Sequence, residues 1–325
     1  MRKNKTRVFF LGSGRFAVPF LDVLSHSDSV ELVGTGTQPD KPSGRKRLLT
    51  PTPLGSFADA AGIPCERYEH VSSESFLQIL KDREVDMLVV VSFGQLLKPL
   101  ILDFPKFGCL NVHGSILPKF RGAAPLASMI LANEMETGVT FMRMDKGLDT
   151  GPIYAISRIP MPGDATRFSL DLSLSELGAR HIVPVIERIA AGLQPTAQDN
   201  SKASVTRKIR KSDGSVCWSE PSELVALKIR AYYQWPGSAF RILGKSGYQL
   251  IKITSARVAE GSGAPGSTLC SEKRWIIACG SGAVEILKLI PEGSREMSAS
   301  DFLRGIGTPS MIASVIDGPK PETKT

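Results

Sequence analysis

Five cysteines in 325 residues, Cys65, Cys109, Cys217, Cys270 and Cys279, are too few and too scattered for a disulfide framework, and no two form a C-x-x-C pair. The same scatter excludes a thiolate zinc site, so free thiols in a reducing compartment are expected. No apolar run reaches the roughly 20 residues that a membrane span needs. Val8-Phe9-Phe10-Leu11 follows a basic start as a signal peptide would, but Gly12-Ser13-Gly14-Arg15 interrupts it before a secretory core forms. The chain is therefore expected to be cytoplasmic, with no membrane partner. Histidine is scarce, with four residues. No G-x-S-x-G elbow supplies a serine nucleophile. No cluster has metal-ligand spacing, and neither repeats nor low-complexity segments occur.

What is present fits a globular protein, with 42% hydrophobic and 22% charged residues. The length allows two domains. Forty basic residues against 32 acidic ones leave a net charge of +8, which favours polyanions, nucleic acid first.

Val8–Leu11 runs into Gly-x-Gly and then into helical spacing over Phe16–Leu24, a strand–turn–helix opening. Further strands are predicted at Val30–Thr35, Asp86–Val91, Cys109–Val112, Val139–Met144 and Ile153–Ser157. Helices are predicted at Pro53–Ala61, Ser73–Lys81, Pro125–Ala132 and Thr166–Ala191, with Pro184 breaking or kinking the last. The Val-rich run before residue 92 is the pattern of a parallel strand buried on both faces. The alternation predicts an α/β domain over residues 1–195, a doubly wound, mostly parallel sheet. Residues 196–215 are polar and basic and are expected to form a linker. After a helix at Pro221–Tyr233, short β-like runs at Ala239–Leu243, Gln249–Val258, Trp275–Cys279 and Ala283–Leu289 have the texture of a small β-barrel over 216–318. A short helix is expected at Ser298–Arg304, and residues 319–325 as a frayed tail.

Three features carry chemistry. Asn111-Val112-His113-Gly114-Ser115 follows an apolar run, and Asn111 and His113, two apart, share one side of extended backbone. They can present donors to one developing oxyanion, while Asp149, between Gly147 and Gly151, holds a proton or orients the imidazole. Gly12-Ser13-Gly14-Arg15-Phe16-Ala17 fits the dinucleotide fingerprint, but the second strand ends in Thr35-Gly36-Thr37-Gln38 without the acidic residue that a ribose needs. Lys41-Pro42-Ser43-Gly44-Arg45-Lys46-Arg47 is a basic loop suited to phosphates, followed by Leu48 and Leu49, which could pack on a nucleic acid end.

Asn111 to Ser115, with Leu117-Pro118-Lys119-Phe120-Arg121-Gly122-Ala123-Ala124-Pro125 and Asp149, resembles the core signature of the 10-formyltetrahydrofolate-dependent formyltransferases. The resemblance extends over nearly the whole chain towards the branch acting on initiator methionyl-tRNA. It runs through Thr37 to Arg45, Met144 to Gly151, Trp218, Ile229-Arg230-Ala231 and Trp235-Pro236-Gly237. It departs at Gly12-Ser13-Gly14, where the family commonly has Gly-Thr-Pro.

The resemblance implies a Rossmann-like formyltransferase domain followed by an OB-like β-barrel that binds tRNA. It implies direct transfer of a formyl group from 10-formyltetrahydrofolate to the α-amine of methionyl-initiator tRNA, without a metal, by a monomer. Asn111 and His113 would bind the oxyanion and Asp149 would move the proton. Ser92, Phe93, Gly94 and Gln95, with Ser115, Ile116, Leu117 and Pro118, would line the folate cleft. Lys41, Arg45, Lys46 and Arg47, with Lys208 and Arg210, would meet tRNA, while Arg121 would either orient the catalytic loop or meet a phosphate. A sister enzyme that formylates an amino-sugar nucleotide, or one that hydrolyses formyl-folate, stays open, as does the more distant NAD(P)-dependent oxidoreductase.

Overall fold

The computed structural model describes residues 5–44, 46–244, 247–269, 274–306 and 312–314. The chain forms two compact units. The first takes in residues up to Pro125, with Met135–Met161 and Ser169–Thr206. The second takes in Leu126–Glu134, Pro162–Phe168 and residues from Arg207 onward.

In chain order the elements up to residue 206 are β1 (Thr6–Gly12), α1 (Val18–Ser25), β2 (Val30–Thr37), β3 (Lys41–Ser43), β4 (Leu48–Thr50), α2 (Pro53–Ala61), β5 (Glu66–Arg67), α3 (Glu74–Asp82), β6 (Met87–Val91), α4 (Pro99–Leu102), β7 (Cys109–His113), β8 (Arg121–Gly122), α5 (Pro125–Leu131), β9 (Glu136–Arg143), β10 (Ile153–Pro160), α6 (Arg167–Ala190) and β11 (Val205–Thr206). The main sheet has the order β10-β9-β7-β6-β1-β2-β5. The five strands from β5 to β7 are parallel; β9 and β10 are antiparallel additions at one edge. Nine residues join β9 to β10, too few for the crossover of a dozen or more that a parallel pair needs. The predicted mostly parallel sheet is thus a mixed one.

Val8–Leu11 and Met87–Val91 are buried, as strands covered on both faces must be. Helix α2 begins and ends where its sequence says it should. The Thr52 hydroxyl accepts from the Gly55 amide at 3.0 Å, Pro53 opens the first turn, and Gly62 closes the helix at φ +68°. Helix α3 lays Phe76, Leu77 and Leu80 into the core, each worth about 1.5–3 kcal/mol of burial.

Helix α6 runs through Pro184, so of the break or kink expected there the break is corrected. An internal proline costs about 3 kcal/mol. Val185, Ile186 and Ile189 beyond it are buried, and at roughly 1.5–3 kcal/mol each they outweigh that cost. At Gly178 the same helix lies against the ring of Phe20, and a Cβ there would sit 2.9 Å from Phe20 Cε1.

The first half of the expected linker folds onto the first unit. Thr196 and Ile153 exchange main-chain hydrogen bonds of 2.7 and 2.8 Å, Arg121 N donates to Ser204 O at 2.9 Å, and β11 pairs parallel with β8. The second unit is strand-rich: α7 (Ser222–Ala231), β12 (Ser238–Gly244), β13 (Gly247–Ala259), β14 (Trp275–Ala278), β15 (Ala283–Pro291), β16 (Met297–Ser298), α8 (Ala299–Ile306) and β17 (Ile312–Ser314). Its antiparallel sheet runs β14-β15-β13-β12-β17, with β16 on β15. Trp275 stacks on Phe302 at 5.3 Å and meets Phe240 edge-on, and Phe240 meets Trp218. These aromatic pairs centre its core. The tail expected at 319–325 lies outside the described residues. Among those residues no helix is long and apolar enough to cross a membrane.

Candidate active site

Strands β1, β6 and β7 are parallel, so their carboxyl ends share one edge of the sheet, where ligands bind in open α/β folds. Asn111 and His113 occupy alternate positions of β7 and lie on one face. Asp149 arrives by another route. Strand β9 is antiparallel to β7 and ends beside Leu110, with Met144 N donating to Cys109 O at 2.7 Å. The loop that follows then climbs back along β7 until the Asp149 carboxylate stands 3.6 Å from His113 Nδ1, both side chains nearly buried at 13% and 8% exposure.

Main-chain groups of the 120–122 segment hold this pair. Phe120 O lies 2.9 Å from His113 Nε2. A carbonyl only accepts, so Nε2 carries the hydrogen and Nδ1 is the nitrogen that gains or loses a proton opposite Asp149. Gly122 N donates to Asp149 Oδ2 at 2.7 Å. The half-buried Asn111 carboxamide has no hydrogen-bond partner among the described residues.

Three left-handed residues with a Cβ lie around the site. Ser92, Phe120 and Asp149 take left-handed backbone at φ +48°, +61° and +54°. Residues with a Cβ hold such conformations only when their surroundings force them, commonly at functional sites. The loop after β7 is held by Thr140, which is buried opposite His113. Its hydroxyl donates to Ser115 O at 2.7 Å and accepts from Leu117 N at 3.0 Å, while Ser115 Oγ donates to Lys119 O at 2.7 Å. Sequence reasoning missed Thr140 because nothing local marks a contact 25 residues away.

The expected folate residues divide into inward and outward sets. Phe93 is core, whereas Ser92 and Gly94 are exposed along the edge. Gln95 is tied back to Tyr68 O and Val71 N, and Phe93 O accepts from Gln38 Nε2 at 2.6 Å. Ser115 and Leu117 are buried, which leaves Ile116 and Pro118 as the half-buried surface of the second wall. Arg121 is no free cation. Its guanidinium donates to Gln198 Oε1 at 3.1 and 2.7 Å and to Asn200 Oδ1 at 2.8 Å, so it anchors the segment that carries the site.

Between β1 and α1 the glycines serve packing. Ser13 N and Gly14 N both donate to Ser92 O, at 3.2 and 3.1 Å, and Thr37 at the end of β2 is bonded to Ser13 and Thr52. The amides that would cradle a pyrophosphate are therefore already paired. The basic loop proves to be a two-stranded hairpin, β3–β4, exposed and carrying Lys41, Lys46 and Arg47, with Arg45 outside the described residues. Leu48 and Leu49 stand out from it at 65% and 72% exposure. Lys41 Nζ donates to Gln38 Oε1 at 2.9 Å. In the second unit Lys208 and Arg210 are exposed, and Arg207 pairs with both oxygens of Asp213 at 2.7 Å.

Burial pushes the Cys109 thiol up to about 12, which keeps it protonated and inert beside the site. Among the described residues no group of three or more His, Cys, Asp or Glu could hold a metal ion. The carboxyl edge of the sheet thus brings an imidazole–carboxylate pair and a half-buried carboxamide to one face of β7.

The chain belongs to the formyl transferase family, whose main domain matches residues 5–186 and whose C-terminal domain matches residues 208–307. Its relatives narrow the class. The methionyl-tRNA formyltransferase of Citrifermentans bemidjiense is 38% identical over 301 residues, covering 92% of this chain and 93% of that protein. The methionyl-tRNA formyltransferase of Thermus thermophilus is 38% identical over 302 residues, covering 93% and 96%. Among solved structures the fold matches WlaRD, a sugar 3N-formyl transferase, with a TM-score of 0.60 at 20% identity, covering 87% of this chain and 97% of that one. It also matches HypX from Aquifex aeolicus in complex with tetrahydrofolic acid, with a TM-score of 0.62 at 17% identity, covering 91% and 46%.

Proposed function

We propose that this chain transfers the formyl group of 10-formyltetrahydrofolate to the α-amine of methionine carried on initiator tRNA, in the cytoplasm and as a monomer. The observation that carries the chemistry is the His113–Asp149 pair at 3.6 Å on the face that Asn111 shares. As the amine attacks the formyl carbon, negative charge develops on the formyl oxygen. The Asn111 amide, unpartnered among the described residues, donates to it, and protonated His113 donates from Nδ1. Each such donor contributes about 2.7–4 kcal/mol. Asp149 balances the imidazolium and, through a water, takes the amine proton and relays it to N10 of the leaving folate. The edge at exposed Ser92 and Gly94 and half-buried Gln95, with Phe93 packed behind it, and the wall from Ser115 through Ile116, Leu117 and Pro118 would hold the pterin. Lys41, Arg45, Lys46 and Arg47, and Lys208 and Arg210, would meet tRNA phosphates.

Formylation of methionyl-tRNA is assayed with 10-formyltetrahydrofolate, beside an amino-sugar nucleotide as competing acceptor. Salt-sensitive formylation of the tRNA is expected. In the same assay Asn111→Ala should lower turnover about 10²–10³-fold, with folate binding changed little and His113→Ala as the control. Preference for the sugar nucleotide, or near-normal turnover by Asn111→Ala, would overturn the assignment.

A further inference from the structure

We propose that Gln198 is a positioning residue for Asp149. Its side chain makes four hydrogen bonds, its full complement. Nε2 donates to Asp149 O at 2.9 Å and to Gly151 O at 2.7 Å. Oε1 accepts from Arg121 Nε at 3.1 Å and Nη2 at 2.7 Å. Both amide hydrogens are thus spent on carbonyls either side of Thr150, which fixes how the peptides around Asp149 are turned. That residue sits at φ +54°, a left-handed conformation uncommon for a residue with a Cβ though less so for aspartate, and the two bonds fix the peptides that flank it.

The other end of the clamp reaches the rest of the site. Arg121 lies between Phe120, whose carbonyl holds His113 Nε2, and Gly122, whose amide holds Asp149 Oδ2. One buried guanidinium and one carboxamide therefore set the main chain on both sides of the imidazole–carboxylate pair. Gln198 stands 49 residues from Asp149 and 77 from Arg121, in a stretch whose composition reads as a connector. It touches neither reacting group and acts through Asp149.

The inference rests on the catalytic role proposed for Asp149, and the experiment separates the two. Gln198→Glu keeps the shape and the acceptor but removes both donors; Gln198→Ala removes the whole clamp. The full chain is assayed for kcat and for KM towards both substrates, with folding checked by circular dichroism. Misplacement of a catalytic group by about 1 Å costs up to about 10²-fold, so both variants should lower kcat by about 10–100-fold while each KM stays within about threefold. In an Asp149→Asn background, Gln198→Ala should cost nothing further, because residues acting as a unit are not additive. Wild-type kcat in Gln198→Glu, or the same fold loss with and without Asp149, would overturn the positioning role. Wild-type activity in Asp149→Asn alone would instead remove the catalytic assignment on which it stands.

Discussion

Replacing Thr140 by valine tests how the loop after β7 is held. The two side chains have nearly the same shape, so the change leaves no cavity. The hydroxyl it removes bridges Ser115 O and Leu117 N, both in buried surroundings. A buried polar group left without a partner costs about 1–3 kcal/mol, and two of them make about 2–6 kcal/mol. Thr140→Ser keeps the hydroxyl and gives up one methyl, for roughly 1 kcal/mol. Valine should therefore be the worse substitution by at least about 1 kcal/mol, the reverse of the order expected from hydrophobicity or strand propensity. Urea unfolding followed by far-UV circular dichroism measures this. Tryptophan emission would not, because Trp218, Trp235 and Trp275 all belong to the second unit. The Leu117 amide should also exchange faster with solvent in the valine variant. Because the same loop carries the Phe120 carbonyl against His113, kcat should fall about tenfold or more. A valine variant as stable as the serine variant would refute the role given to this hydroxyl.

Two further outcomes follow from packing and charge. Gly178→Ala should destabilise the first unit although alanine is the better helix former by roughly 1 kcal/mol; the added Cβ meets the Phe20 ring, overpacking costs about 1–3 kcal/mol, and a raised melting temperature would contradict this. The second unit should lose stability in acid. The Arg207 guanidinium holds the Asp213 carboxyl down at about 2 against an ordinary 3.8, and Arg274, with Arg257, lowers Glu285 in the same direction. Groups depressed in the folded state stabilise it above the ordinary carboxylate range and lose that contribution as pH falls from about 4 to about 2. Tryptophan emission during urea unfolding should report a falling midpoint over that window, less so in Arg207→Met, and an unchanged midpoint would count against the pairing.

Much of the fold was legible because its signals are local. Thr52, Pro53 and Gly62 bound one helix, and an unbroken Val-rich run marks a strand with both faces covered. That Asn111 and His113 share one face of a strand was legible from their spacing. Each element that escaped has its own physical reason. The strands of the β3–β4 hairpin are three residues long and fully exposed, so no burial pattern writes itself into them. Pro184 signals a break that the apolar stripe beyond it overrides. Thr140, Arg121 and Gln198 act through hydrogen bonds that span tens of residues, and no periodicity encodes these.

The two amides of Ser13 and Gly14, both turned onto the carbonyl of Ser92, bear on how glycine fingerprints should be interpreted. A pattern that elsewhere opens a cradle for pyrophosphate is closed here by an acceptor 78 residues downstream. A nucleotide entering this turn would first have to break both bonds and then offer replacements of equal worth. Ancestry or convergence can thus keep the glycines for close approach alone, long after or without any cofactor, and only the remote partner distinguishes a stitched turn from an open one.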